Sequence, residues 1–244
     1  MSEIKAKIHY LYHSGFAIET TNHFLVLDYY KNPSNKLIKN ILSPDNIKLK
    51  KNMYVFSSHS HGDHFNPAIF KWQQYNPEIK YVLSSDIDIE ESHCTYIRIS
   101  EGDEKRIDDI TIRAYGSTDI GISFLVKVDE LVIFHAGDLN WWHWKEDSLE
   151  EQKLAEVSFK QHIEKIKAHE AYIDIAFFPV DPRLEESYYI GGEYFSKELQ
   201  PKLFIPMHFG DETSVTRFFS EKIKELNISS AVITTNGQEI MFKS

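Results

Sequence analysis

The segment His59-Ser60-His61-Gly62-Asp63-His64 sets three imidazoles and a carboxylate within six residues. It lies between the apolar run Tyr54-Val55-Phe56 and the helix-opening pair Asn66-Pro67. Neutral imidazoles and carboxylates without a thiolate suit Zn, and also Mn, Fe or Ni. His59 and His61, two residues apart, point to the same side of an extended segment. Gly62 lets the chain turn so that Asp63 and His64 face a neighbouring point, and one cluster can then serve two ions. A helix-capping loop would account for Asp63 or Asn66 but not for three histidines. Water bound to a zinc-like ion has its pKa lowered to about 7, which supplies hydroxide at neutral pH for attack on a carbonyl or phosphoryl centre.

Two further candidates each follow an apolar strand. Asp138 closes His135-Ala136-Gly137-Asp138 after Leu131–Phe134, and His208 sits in Pro206-Met207-His208-Phe209 after Leu203–Ile205. Strand ends gathered at one sheet edge can converge. Singly, Asp138 also reads as an ordinary turn residue and His208 as a core histidine. Trp141-Trp142-His143-Trp144 follows Asp138: Trp141 can wall a substrate pocket and His143 can present a proton, while packing between layers is the competing role. Arg183, in Asp181-Pro182-Arg183, can bind an anionic substrate group or form a solvated salt bridge. His13 reads as a partner of a ligand, and His9, His23, His93, His162 and His169 as surface or packing residues.

The elements that must position these residues alternate in a recognisable way. Strands are predicted over Ile4–Leu11, Phe16–Glu19, Phe24–Asp28, Tyr54–Phe56, Tyr81–Leu83, Tyr96–Ile99, Lys105–Ile107 and Ile110–Ala114. Others follow at Ile122–Val128, Leu131–Phe134, Ile173–Phe178, Leu203–Ile205 and Ala231–Thr234. Residues 31–52 read as an irregular connection or a short helix. Helices are predicted from Asn66 to about Tyr75, near Gly192–Leu199 and over Thr213–Leu226. The clearest runs from Ser148 to His169, with Leu154, Val157, Phe159, Ile163 and Ile166 at helical spacing. A β-rich first half and an alternating second half imply two sheets with helices outside.

The His-x-His-x-Asp-His run resembles the signature of the metallo-β-lactamase superfamily. The Gly137-Asp138 and His208 landmarks fit in order, and Tyr12-His13-Ser14-Gly15-Phe16 is similar to the start of the ascorbate-phosphate lactonase-like branch of metal-dependent hydrolases. The resemblance covers about residues 4–242. It implies an α/β fold, a four-layer αββα sandwich of two mixed sheets, as a single domain over residues 1–244. It also implies His59 and His61 on a first metal, Asp63 and His64 on a second, Asp138 bridging, and His208 completing the second site. Asp63 would orient the attacking hydroxide. The family's further first-site histidine is absent: Tyr115 stands at the best-matching position. Asp119 or His143 could replace that ligand, and Tyr115 is either a catalytic phenol in the cleft or a strand-end core aromatic.

Composition limits the rest. The chain has 244 residues, 27 basic against 37 acidic side chains, and 42% hydrophobic residues, enough for a sizeable core. The acidic balance opposes a nucleic-acid partner. Without an apolar stretch for a signal peptide or membrane span, a cytoplasmic protein is expected, with Cys94 as a small buried hydrophobe. The function expected is metal-dependent hydrolysis of a small, anionic ester, lactone or phosphoester. The rivals are a phosphodiesterase of nuclease or phospholipase type and a non-catalytic metal- or ligand-binding module. A diiron oxidase role ranks last, because it calls for a flavin partner domain. Tyr188-Tyr189 could serve either homo-oligomer formation or a pocket rim.

Overall fold

The computed structural model describes residues 3–31, 41–89 and 95–243. His93, Cys94 and residues 32–40 of the expected connection lie outside them. In chain order the strands are β1 (Ile4–Tyr12), β2 (Gly15–Glu19), β3 (Phe24–Leu27), β4 (Met53–Ser57), β5 (Lys80–Ser84), β6 (Tyr96–Ile99) and β7 (Glu104–Ile107). They continue as β8 (Ile110–Gly116), β9 (Ile122–Val128), β10 (Leu131–His135), β11 (Ile175–Pro179), β12 (Leu203–Met207), β13 (Ser229–Ser230) and β14 (Glu239–Lys243). The α-helices are α1 (Pro44–Leu49), α2 (Leu149–His169), α3 (Ile190–Leu199) and α4 (Ser214–Lys222). Two mixed seven-stranded sheets with helices give the α/β class expected from the sequence.

The chain divides into two compact units, residues 1–100 with 235–244, and residues 101–234. The first holds the sheet β14-β1-β2-β3-β4-β5-β6. Here β1–β2 and β2–β3 are antiparallel while β3, β4 and β5 run parallel, so the C-terminal ends of β1, β3 and β4 share one edge. Leu11, Val26, Val55, Trp72 and Leu83 lie in its buried core. Ser43 caps α1 by accepting from Asn46 N–H. The helix expected after Asn66 is a 3-10 helix, Pro67–Gln74, whose first turn Asn66 caps through Ala68 N–H at 2.9 Å.

The second unit holds the sheet β13-β12-β11-β10-β9-β8-β7, in which β10, β11 and β12 are parallel neighbours. The ends of these three strands therefore also share an edge. A capping box, Ser148 with Glu151, starts α2. Its buried stripe is Phe159, Ile163 and Ile166, whereas Leu154 and Val157 are exposed, so only the later turns of this helix use their apolar face for packing. Ala231–Thr234 does not form the expected strand: pairing with β12 covers Ser229 and Ser230, and Ala231 adds one hydrogen bond to Phe204. Among the described residues no helix is long and apolar enough to cross a membrane.

Candidate metal centre

In the first unit the cluster of candidate ligands grows from the shared strand edge. His59 follows β4, Asp28 follows β3, and His13 sits in the tight turn after β1. Asp28 is fully buried: one carboxylate oxygen accepts the Ser58 N–H at 2.7 Å and the other accepts the Ser58 hydroxyl at 2.6 Å. That second oxygen, Oδ2, is also 2.7 Å from Nδ1 of His64. An ionised carboxylate only accepts, so His64 carries its proton on Nδ1 and its lone pair on Nε2, the form that ligates metal. Nε2 of His59 stands 3.1 Å from Nδ1 of His61, and Nε2 of His13 stands 3.3 Å from Asp63. Two ligands of one tetrahedral zinc, each about 2.0–2.1 Å from the ion, are about 3.3 Å apart, so the His59–His61 separation fits a shared ion. The His13 hydrogen bond, reinforced by the charges of His64 and His13, holds the Asp63 carboxyl well below the usual carboxylate range despite its partial burial.

In the second unit Asp138, Asp181 and His208 follow the ends of β10, β11 and β12. Gly137, at φ +54°, makes the turn that delivers Asp138. Nε2 of His208 lies 3.2 Å from an Asp138 carboxylate oxygen, again a spacing that suits one ion. Nδ1 of His208 is 2.8 Å from Asp181 Oδ2. Burial pushes the Asp181 pKa up, but hydrogen bonds from His208 and Arg183 outweigh it and hold the group at about 2. An Asp119 carboxylate oxygen comes within 4.8 Å of an Asp138 one. The Thr118 hydroxyl ties the two segments together by donating to Asn140 C=O at 2.7 Å and accepting Asn140 N–H at 2.9 Å. Both units thus offer neutral imidazole and carboxylate donors with fixed tautomers, a set that fits a divalent ion.

The other expected residues are placed less centrally. The Tyr115 hydroxyl donates to Glu170 at 2.9 Å in a cleft of about 420 Å³ lined also by Arg113, Lys165 and His169. Burial and the Glu170 charge push its pKa up to about 12 against the pull of Arg113. This is the strand-end aromatic role, with the phenol spent on a buried carboxylate. Trp141 packs against Phe159 and Tyr194 under the Lys160 ammonium. The tryptophan beside His208 and Asp138 is Trp142, edge-on to the imidazole at 5.6 Å, with its N–H on Asp138 C=O. His143 lies against Trp141, and its buried Nδ1 has no hydrogen-bond partner among the described residues. Arg183 is forked onto Asp181 by Nε at 3.0 and 2.9 Å and by Nη2 at 2.5 Å. Sequence reasoning missed Asp28 and the role of Asp181; their one signal is that each ends an apolar strand.

The model of the family described as the beta-lactamase superfamily domain matches residues 7–208. The chain belongs to the metallo-β-lactamase superfamily, a fold family of metal-dependent hydrolases that binds divalent metals. The chain is similar to Igni18, a metallo hydrolase from Ignicoccus hospitalis, with 19% identity, TM-score 0.69 and coverage of 98% of this chain and 99% of that one. It is also similar to a putative metal-dependent hydrolase from Parabacteroides distasonis, with 18% identity, TM-score 0.59 and coverage of 92% and 90%. CmlA, a diiron β-hydroxylase from Streptomyces venezuelae, shares the fold at 8% identity and TM-score 0.66, over 98% of this chain and 54% of that one. No curated protein matches the chain at a significant level.

Proposed function

We propose that this protein is a metal-dependent hydrolase of a small ester, lactone or phosphoester, with His59, His61, Asp63, His64, Asp138 and His208 as ligands. The observation that carries the reading is the repeated pairing of a ligand histidine with a buried aspartate, His64 with Asp28 and His208 with Asp181. Histidines prepared in this way have Nε2 committed to metal rather than to a proton. When bound, the metal acidifies water and polarises the substrate's carbonyl or phosphoryl oxygen. Zinc suits the donors best, with Mn, Fe or Ni as alternatives. Asp119, beside Asp138, takes the place of the missing first-site histidine.

The chain's own groups supply the rest. Asp63, held ionised by His13, orients the nucleophile. His143 has a buried ring nitrogen available for proton transfer to the leaving group. An anionic substrate expected on the strength of Arg183 is not carried forward, because that guanidinium is already matched by Asp181. The net charge of -10 favours a small molecule over a nucleic acid. The reading is tested with Asp138→Ala, which should lose bound metal together with hydrolysis of a panel of p-nitrophenyl esters and phosphodiesters and of γ-lactones. Unchanged metal content and turnover would reject it.

A further inference from the structure

We propose that Arg183 is a positioning residue: acting through Asp181, it holds the His208 imidazole with its proton on Nδ1 and its lone pair on Nε2. The effect on metal affinity rests on the reading of His208 as a ligand; the effect on the imidazole does not. Asp181 is fully buried, and Arg183 engages both of its carboxylate oxygens. The Arg183 backbone N–H donates to Oδ1 at 2.9 Å, Nε reaches Oδ1 and Oδ2 at 3.0 and 2.9 Å, and Nη2 reaches Oδ2 at 2.5 Å. A carboxylate clamped by a guanidinium fork acts as an acceptor, so the His208 nitrogen 2.8 Å from Oδ2 donates to it, a closer contact than the 3.4 Å from the same nitrogen to Arg183 Nη2. Nε2, on the far side of the ring, stands 3.2 Å from an Asp138 carboxylate oxygen, the spacing of two ligands of one ion.

The surroundings fix both ends of this relay. Pro182 restricts the backbone between the carboxylate and its guanidinium, and Asp181 caps the 3-10 helix Pro182–Ser187 through the same Arg183 N–H. The guanidinium carbon lies 5.7 Å from the Trp144 ring centre. Trp144 stacks on Trp142 at 5.9 Å with their planes 4° apart, and Trp142 meets His208 edge-on. His208 itself sits at φ +67°, a left-handed conformation that an L residue adopts only under constraint from its neighbours. A substrate anion would have to compete with the Asp181 fork for Arg183, which is why the geometry points to positioning rather than to anion binding.

The test is a long-range proton–nitrogen spectrum of metal-free protein carrying Asp138→Ala, which removes the carboxylate 3.2 Å from Nε2, at about pH 8, where most imidazoles are neutral, with the His208 signals assigned by His208→Gln. Zinc affinity by chelator competition is read alongside in protein that keeps Asp138. With Asp181 and Arg183 in place His208 should carry its proton on Nδ1. In Asp181→Asn, which keeps the helix cap, the amide can donate to Nδ1; the proton should move to Nε2 and zinc affinity should fall roughly 10–100-fold. Arg183→Ala should give a mixture of tautomers and an affinity loss of several-fold, and Arg183→Lys should restore part of both, as a point charge without the fork. The proposal is overturned if Arg183→Ala leaves the tautomer and zinc affinity unchanged, or if its sole effect is a raised KM for an anionic ester. Tautomer shifts in a protein that binds no zinc would uphold the positioning role and reject His208 as a ligand.

Discussion

Asp28 Oδ2 lies 2.7 Å from Nδ1 of His64, with both side chains fully buried, and the same carboxylate accepts the N–H and hydroxyl of Ser58. One aspartate therefore fixes both the start of the His59–His64 loop and the tautomer of a proposed ligand within it. Asp28→Asn keeps the volume but can present a donor to Nδ1. Metal affinity should drop roughly 10–100-fold, measured by chelator competition, with melting temperature followed in parallel. Unchanged affinity would contradict the role given to Asp28.

Tyr115 separates a structural aromatic from a catalytic one. Tyr115→Phe should leave metal content and turnover at their original levels and reduce stability by about 1–2 kcal/mol, because Glu170 loses a buried donor. The pH dependence has a definite sign. The phenol's pKa is raised to about 12 in the fold against an ordinary value of 10.0, so its contribution is complete below pH 10 and is lost as pH rises through 12. Denaturation curves at rising alkaline pH should therefore show a steeper loss for the parent than for Tyr115→Phe. A large fall in kcat in the variant would restore Tyr115 to the reaction.

Two adjacent glycines in α3 should behave differently. A Cβ at Gly192 would come within 2.8 Å of the Phe219 ring, so Gly192→Ala should cost about 1–3 kcal/mol by overpacking and leave metal affinity alone. A Cβ at Gly191 would come within 2.1 Å of Asn140 Oδ1, and Asn140 is tied through Thr118 to the Asp138 segment. Gly191→Ala should therefore lower metal affinity as well as stability. Thermal melts paired with metal titrations distinguish the two patterns, and equal metal affinity in both variants would break the link from Asn140 to Asp138.

The capping box of α2 offers a control remote from the ligands. Ser148→Ala removes the side-chain acceptor of Glu151 N–H and should cost about 1 kcal/mol in chemical denaturation, with no change in metal binding.

The legible parts of the site were those that are local in sequence. His59, His61, Asp63 and His64 announce themselves by density, and Asp138 and His208 by following apolar strands into a turn. Asp28 and Asp181 follow strands too, but a lone aspartate after an apolar run is also an ordinary turn residue, and its partner lies 36 or 27 positions away. Trp141 packs against Phe159 and Tyr194 while its neighbour Trp142 lies against His208, a difference the sequence does not show because it does not give the local chain direction. In the fold, β14 escaped because most of its strand is exposed, with Phe242 its buried member. Ala231–Thr234 misled for the opposite reason: a largely apolar run, with Ala231 and Ile233 buried, that lies beyond the two residues paired with β12.

The central claim is that this ligand set holds a catalytic divalent metal. Elemental analysis of protein purified without chelator or an affinity-tag metal, and washed free of loosely held ions, measures it directly. The expected result is about one to two equivalents of zinc or a similar ion per chain, removed by chelator together with ester or lactone hydrolysis and restored with it on adding metal back. Protein that is folded and hydrolytically active with no bound metal would contradict it.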